Sequence, residues 1–370
     1  MTQRGSKSRK LARAHTALSA RGALTDSAAD LPRLLDIVAA FSRQTIAVVG
    51  DMVLDEFVSG EISRISREAP VLILRHRRSE PYPGGGANAV NNIADLGARV
   101  LPVGVVGDDE GGRTLLEYFR RKRVDTSGIL RVAGWITTRK TRYLAGWTHT
   151  TEQQVLRVDR EPQGELSRRV QDSIARLARQ RAARAGAVLF SDYGLGGVTP
   201  SLVRHIHAHI VTLDSRYRLR DYRNAGVTSA TPNEPELEAA YHTSVGTDSR
   251  ALEILGQRAL RELGLQALVV TRGKDGMAVF ERAPAGRRAK GASARNIPIH
   301  GSDAPVDVTG AGDTVIAVFT LALAAGATYL EAAHLANYAG GMVVMKRRTA
   351  TVTRAELEAA LRREATDAAH

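Results

Sequence analysis

The chain has 370 residues, 43% apolar and 25% charged, with no cysteine and a formal net charge of +13. That is ample material for a large buried core, and it excludes disulfides, thiolate metal sites and cysteine nucleophiles. No run reaches the ~18 apolar residues of a spanning helix and the N-terminus lacks an apolar signal core, so no membrane partner and a cytoplasmic location are expected.

Residues 1–25 carry six Lys or Arg and no acid, which predicts a basic, flexible tail over 1–30. The other arginines are scattered, as in "RRKR" (120–123), "RQRAAR" (179–184) and "KRR" (346–348). Without aromatic interleaving, helix-turn-helix or zinc-knuckle spacing they read as solvated faces, and nucleic acid is not the expected partner.

From residue 31 to 365 strands and helices alternate. "TIAVVG" (45–50) is a β-branched run ending in glycine, as in a buried parallel strand. "GGGANAVNNIADLGA" enters a helix with Ala89, Ile93 and Leu96 on one side, and "RVLPVGVVG" is the next strand. Further helix–strand pairs follow, "ELSRRVQDSIARLARQRAARAG" with "AVLFSDYG", "TPSLVRHIHAH" with "IVTLD" and "SRALEILGQRALRELG" with "QALVVTRG" among them. The fold class is α/β: a mostly parallel sheet with helices on both faces. Two β-prone polar segments near 54–78 and 136–161 break the rhythm and predict a small β lid at the site end.

"DVTGAGDT" (Asp307–Thr314) precedes the apolar run "VIAVFTLALAAG". Gly310, Ala311 and Gly312 at a helix start let backbone N–H groups approach an anion, and the helix dipole favours negative charge there. Asp313 alone ordinarily reads as a helix-start acid; with the glycines in front it suits phosphoryl transfer, as acceptor of the attacking hydroxyl's proton.

Together, "PGGGANAVNNIADLGARVLPVGVVGDDEGG", "TPNEPE", "VVTRGKDGM" and "DVTGAGDT" resemble, in order, the elements of the ribokinase-like (PfkB-type) sugar kinases. The run "VVGDMVLDEFVSGEISRISREAPVLIL" with "SDYG" is similar to the kinase half of the enzymes of ADP-heptose synthesis, which implies O1 of D-glycero-D-manno-heptose 7-phosphate as the acceptor. No HxGH-type nucleotidyl-transfer motif is present, so the single-function form is implied. A kinase for another sugar or sugar phosphate and a catalytically silent binding regulator remain the alternatives.

The resemblance implies roles residue by residue. Asp313 matches the catalytic base and Gly310, Ala311 and Gly312 the anion hole. Asp55, Gly84, Gly85 and Asn88 match sugar-hydroxyl positions, with helix capping the competing reading of Asn88. Asp192 stands where a site carboxylate belongs or is a strand-end turn residue. Lys140 and Arg142, alternating on one strand, match a grip on the acceptor's phosphate or a solvated lid edge. ATP and Mg²⁺ are implied through Asn233, Glu236, Thr271, Gly273 and Asn337, although Asn233 and Glu236 at i, i+3 also suit an ordinary helix start. Asp307 and Thr309 match part of a monovalent-cation (K⁺) loop, and a homodimer through the lid is implied.

The departures fall near the acceptor: Leu195 replaces a lysine in "SDYGLGG", Ser215-Arg216 replaces Pro-Lys, and "AGWTHTTEQQ" lengthens the lid. His205 and His209 offer i, i+4 spacing without an acidic third ligand, so a solvated helix end is expected. Trp135 and Trp147 are expected in lid or dimer packing. "GVVGDDEGG" lacks the spacing of a dinucleotide fingerprint.

Overall fold

The computed structural model describes residues 25–26, 29–147, 152–282, 293–301 and 304–367. Most of the expected basic tail and residues 148–151 of the long lid segment lie outside them.

Fourteen strands occur among the described residues. The first seven are β1 (Thr25–Asp26), β2 (Thr45–Gly50), β3 (Met52–Ile65), β4 (Leu72–Gly85), β5 (Arg99–Gly107), β6 (Ile129–Val132) and β7 (Thr138–Gly146). The rest are β8 (Gln153–Arg160), β9 (Ala187–Asp192), β10 (Val211–Ser215), β11 (Ser229–Ala230), β12 (Ala267–Thr271), β13 (Met277–Glu281) and β14 (Ser293–Ile297). Ten of them form one sheet in the order β1-β14-β13-β12-β11-β10-β9-β2-β5-β6. Its pairs are parallel except β12/β13 and β13/β14. The strand β1 corrects the tail boundary expected at residue 30, because Thr25 and Asp26 already pair with Arg295 and Asn296.

Helices cover both faces. In chain order they are α1 (Leu31–Ala39), α2 (Gly86–Asp95), α3 (Glu110–Arg121), α4 (Arg168–Ala182) and α5 (Pro200–Arg204), then α6 (Glu234–Tyr241), α7 (Ser249–Glu262), α8 (Ala311–Ala324), α9 (Tyr329–Val343) and α10 (Arg354–Asp367). One apolar core includes residues of α1, α2, α8, α9 and α10, the other residues of α4, α5, α6 and α7. The central strand β2 is buried over five of its six residues, as a parallel strand covered twice must be. The helix α8 is buried on every side from Asp313 to Leu323, which explains why its sequence has no polar stripe. Its one mid-helix hydroxyl, Thr320, bonds Ile316 O (2.7 Å) and Thr212 Oγ1 (2.6 Å). No helix is long and apolar enough to cross a membrane among the described residues.

The two irregular segments form the second sheet, β4-β3-β7-β8, the small sheet expected as a lid, with Met52 and Leu54 at the start of β3 packed in the core. β3 and β4 pair antiparallel, β3 and β7 parallel, β7 and β8 antiparallel. "TPSLVRHIHAH" keeps only five helical residues, and His205 ends that helix at its C-cap. His205 and His209 therefore do not share a helix face.

Candidate active site

The carboxyl ends of β2, β9 and β10 and the N-termini of α2 and α8 supply the candidate site, on the side where open α/β sheets bind ligands. Gly310, the residue before α8, has φ 78°, which a side chain resists. A Cβ there would also lie 2.6 Å from Asn88 Nδ2 and 2.9 Å from Thr349 Cγ2. A Cβ on Gly312 would meet nothing within 4 Å. Gly310 is therefore required by the fold, whereas Gly312 keeps a space open. The Ala311 N–H is already used, donating to Val308 O (3.2 Å), so it is not a free donor of the anion hole.

Asp313, 3% exposed, is held from two directions. Asn88 Nδ2–H donates to its Oδ2 (3.0 Å) and the Tyr193 hydroxyl to its Oδ1 (2.8 Å). Asn92 fixes the Asn88 amide by donating to Asn88 Oδ1 (3.1 Å), and the Thr314 hydroxyl donates to Asn92 Oδ1 (3.0 Å). Burial pushes the Asp313 pKa up to about 7, against the lowering effect of these two donors and of Lys140, with Asp55 raising it further. Burial also pushes the Tyr193 phenol well above its usual range, so it stays a donor. Asn88 thus serves the carboxylate 225 residues away; the helix capping read as its alternative is absent, since the residue before α2 is Gly85.

Asp55, on the lid strand β3, has a different partner. Arg142 Nη1 donates to Asp55 Oδ1 (2.6 Å), and the Thr349 hydroxyl to Oδ2 (3.3 Å). Arg142 packs over Phe57, 5.3 Å from the ring centroid. The expectation that Arg142 and Lys140 grip one anion is corrected in this respect: Arg142 is committed to a buried ion pair. Lys140 stands over the Tyr193 ring at 5.3 Å, and burial and the nearby Arg216 hold its pKa down. Gly84 lies against Asp55, where a Cβ would come to 2.5 Å of Oδ2, and Gly85 has φ 53°.

Asp192 is corrected as well. Its carboxylate, 1% exposed, accepts from Arg218 Nη2 (2.5 Å), Tyr222 OH (2.7 Å), Ser215 Oγ (3.0 Å) and Gly194 N (2.9 Å). Those bonds brace the ends of β9 and β10, so it is not a free site carboxylate.

On the nucleotide side, Asn233 and Glu236 form a reciprocal capping box, with Glu236 N–H to Asn233 Oδ1 (2.8 Å) and Asn233 N–H to Glu236 Oε2 (2.9 Å). Thr271 bridges to Asn233, and Gly273 follows with φ 55° and open space where a Cβ would be. Asn337 Nδ2–H donates to Pro298 O (2.7 Å). Both Asp307 side-chain oxygens accept backbone N–H groups, from Thr309 and Arg348 (2.9 Å each), which braces the loop before Gly310. Among the described residues no three His, Asp or Glu side chains are grouped to hold a metal. Trp147 is 59% exposed, and Trp135 is partly buried against the second apolar core.

Sequence reading did not single out Tyr193, Asp51, Asp214 or Arg348. Burial raises the Asp214 pKa well above its usual range, with the charges of Glu236, Asp313 and Asp192 adding to it. Arg348, with φ 67°, joins the Asp307 loop to the lid through Glu80 (2.7 Å) and Ser59 (3.3 Å). For Tyr193 and Asp214 a signal was present, since both lie at the carboxyl ends of apolar runs.

Residues 43–356 match the family described as pfkB family carbohydrate kinase. The Bifunctional protein HldE of Desulfatibacillum aliphaticivorans is 39% identical over 330 residues, 88% of this chain and 64% of that protein. The chain thus spans just under two-thirds of that relative. In fold it is similar to Arabidopsis thaliana ribokinase complexed with ribose and ATP, with TM-score 0.63 and 19% identity over 86% of this chain and 98% of that one. Escherichia coli phosphofructokinase-2 in complex with substrates and products gives TM-score 0.66 and 16% identity over 86% and 99%. The match over 314 consecutive positions, with the shared ribokinase-like architecture, shows that this chain belongs to the pfkB family of carbohydrate kinases.

Proposed function

We propose that this kinase transfers the γ-phosphoryl group of ATP to a sugar phosphate, with O1 of D-glycero-D-manno-heptose 7-phosphate as the leading acceptor. The observation that carries the chemistry is Asp313, buried at the start of α8, held by two neutral donors and with a pKa of about 7. Such a carboxylate is basic enough near neutral pH to take a hydroxyl proton. The sugar oxygen attacks the γ-phosphorus in line, its proton passes to Asp313, and the bond from γ-phosphorus to the bridging oxygen breaks to release ADP. The space over Gly312 receives the moving phosphoryl oxygens, with the dipole of α8 behind it.

The donor set suits a magnesium ion. Glu236 and Asp214 are two carboxyls beside the capping box whose pKa values are raised chiefly by burial, for Asp214 with the charge of Glu236 adding to it, and a cation there would favour their ionised forms. With no group of three carboxylates among the described residues, such a site fits a cation that keeps most of its ligands from water and phosphate. Asn233 and Glu236 would hold it through water, and when bound it neutralises phosphate charge. The K⁺ proposal rests on carbonyls of the loop that Asp307 braces.

The acceptor proposal draws on the similarity to HldE and on Lys140, which lies within electrostatic reach of both Asp313 and Asp55. A second reading, an acceptor without a phosphate, is favoured by the Arg142–Asp55 pair, which leaves one fewer cation for an anion. Phosphorylation of heptose 7-phosphate, ribose and fructose 6-phosphate under one set of conditions decides between them. The proposal expects the highest kcat/KM for heptose 7-phosphate; an unphosphorylated sugar in first place overturns it.

Assembly follows the same reasoning. Val155, Leu156 and Val158 on β8 are 47%, 55% and 48% exposed, and a lid-to-lid homodimer would cover them. A cytoplasmic location is proposed with it, as a compartment that supplies ATP.

A further inference from the structure

Both donors to Asp313 lead back to one residue that touches neither the base nor the open space before it. Asp51, 3% exposed, follows the central strand β2. Its backbone carbonyl accepts the N–H of Gly86 (3.0 Å), the first residue of the helix that carries Asn88. Its carboxylate accepts three N–H groups of a single turn: Tyr193 (2.8 Å) and Leu195 (3.1 Å) on Oδ2, and Gly197 (2.9 Å) on Oδ1. That turn, "YGLGG", has little stiffness of its own, with Gly194 at φ 77° and Gly196 at φ 91°. Asp192 adds one further tie, through Gly194 N–H.

We infer that Asp51 is a positioning residue for the base: its carboxylate holds the 193–197 turn so that the Tyr193 hydroxyl donates to Asp313. This rests on the reading of Asp313 as base. The side chain acts on the Tyr193 arm alone, while the Asn88 arm hangs from the backbone carbonyl, which a side-chain substitution leaves in place. Asp51→Asn keeps size and shape but must set an NH₂ group against at least one of the three N–H donors. One end of the turn, at Tyr193 and Leu195 or at Gly197, then loses its tie, and the turn is no longer pinned at both ends.

The test uses the full chain and a double-mutant cycle. Turnover, KM for ATP and the pH–rate profile are measured for Asp51→Asn, Tyr193→Phe, Asn88→Ala and the two double variants containing Asp51→Asn, with thermal unfolding recorded for each. Asp51→Asn is expected to lower kcat about 10- to 100-fold, the factor carried by one hydrogen bond to a charged acceptor, with KM for ATP within about threefold. Its acid limb should move up in pH as in Tyr193→Phe, because a donor that favours ionised Asp313 is lost while Asn88, Asp55, Lys140 and Asp214 still face it. In the Tyr193→Phe background the same substitution should cost less than about threefold; added to Asn88→Ala it should cost its full factor.

A full factor in both backgrounds, or normal kcat and acid limb in folded Asp51→Asn, overturns the inference. Should Asp51→Asn not fold, Gly197→Ala disturbs the same tie from the loop side, since its Cβ would lie 2.8 Å from Asp51 Oδ1. Unchanged kcat in folded Gly197→Ala then overturns the inference. Turnover retained by Asp313→Asn refutes the base reading instead, and is separate from the Asp51–Tyr193 coupling.

Discussion

Asp313 and Asp55 are both buried carboxylates, and their partners set them apart. Asp313 is solvated by an amide and a phenol, neutral groups that orient it without cancelling its charge. Asp55 is locked to the Arg142 guanidinium at 2.6 Å, with both side chains about a tenth exposed or less. A carboxylate held by neutral dipoles in a dry site remains a base, whereas one held by a guanidinium is an anchor for the strands that carry the pair. The difference follows the architecture: Asp313 is set by core helices and strand ends, and Asp55 by adjacent lid strands in register.

That contrast can be broken at its edges. Apart from substitution of Asp313 itself, the largest loss of turnover is expected at Gly312→Ala, where a methyl group would enter space that no protein atom occupies. Turnover should fall about 100-fold or more, the scale of a lost anion-hole contact. Stability should hold or rise by up to about 1 kcal/mol, as for an exchange of glycine for alanine in a helix. A folded variant with normal turnover would mean that the moving phosphoryl lies elsewhere. Next in size, Arg142→Ala should destabilise by about 3–5 kcal/mol by stranding Asp55, read in denaturant unfolding. A loss below about 1 kcal/mol would remove the anchor from the comparison.

The pH dependence of Asp313 sharpens the other side. Its folded pKa, about 7, lies above the ordinary 3.8, so between roughly pH 4 and 7 the folded chain keeps a proton that the unfolded chain has released. Stability therefore falls as pH rises through this window, by a few kcal/mol in all. Asp313→Asn should recover part of that at pH 8 and little at pH 4, seen as a larger gain in Tm at the higher pH. Activity runs the opposite way, since only the ionised carboxylate accepts a proton, and kcat/KM should rise with pH through about 7. The smallest effect belongs to the lid surface: Leu156→Lys should leave kcat within about twofold while weakening self-association in sedimentation.

What was legible in the sequence was what local chemistry dictates. The parallel strands announced themselves through β-branched runs such as "TIAVVG", the second sheet through its break in helical period, and the helix start that carries Asp313 through the glycines before it. What was not legible was partnership across distance. Nothing near Asn88 shows that its amide meets a carboxylate 225 positions later. Nothing near Asp192 shows that Arg218, Ser215 and Tyr222 consume it. Alternation on β7 placed Lys140 and Arg142 on one face, but Asp55 on the neighbouring strand engages Arg142 and separates the pair in function. Asp51 escaped notice because its three ties are to backbone N–H groups, which leave no mark in residue identity beyond the glycines of the turn.

The central claim is that Asp313 takes the proton of the attacking hydroxyl. Turnover of Asp313→Asn, measured beside its equilibrium affinity for ATP, tests it most directly, because the amide keeps the shape and loses only the basicity. The account predicts turnover lower by about three orders of magnitude or more and ATP affinity within about threefold of the unsubstituted chain. Turnover within about tenfold of it would contradict the account.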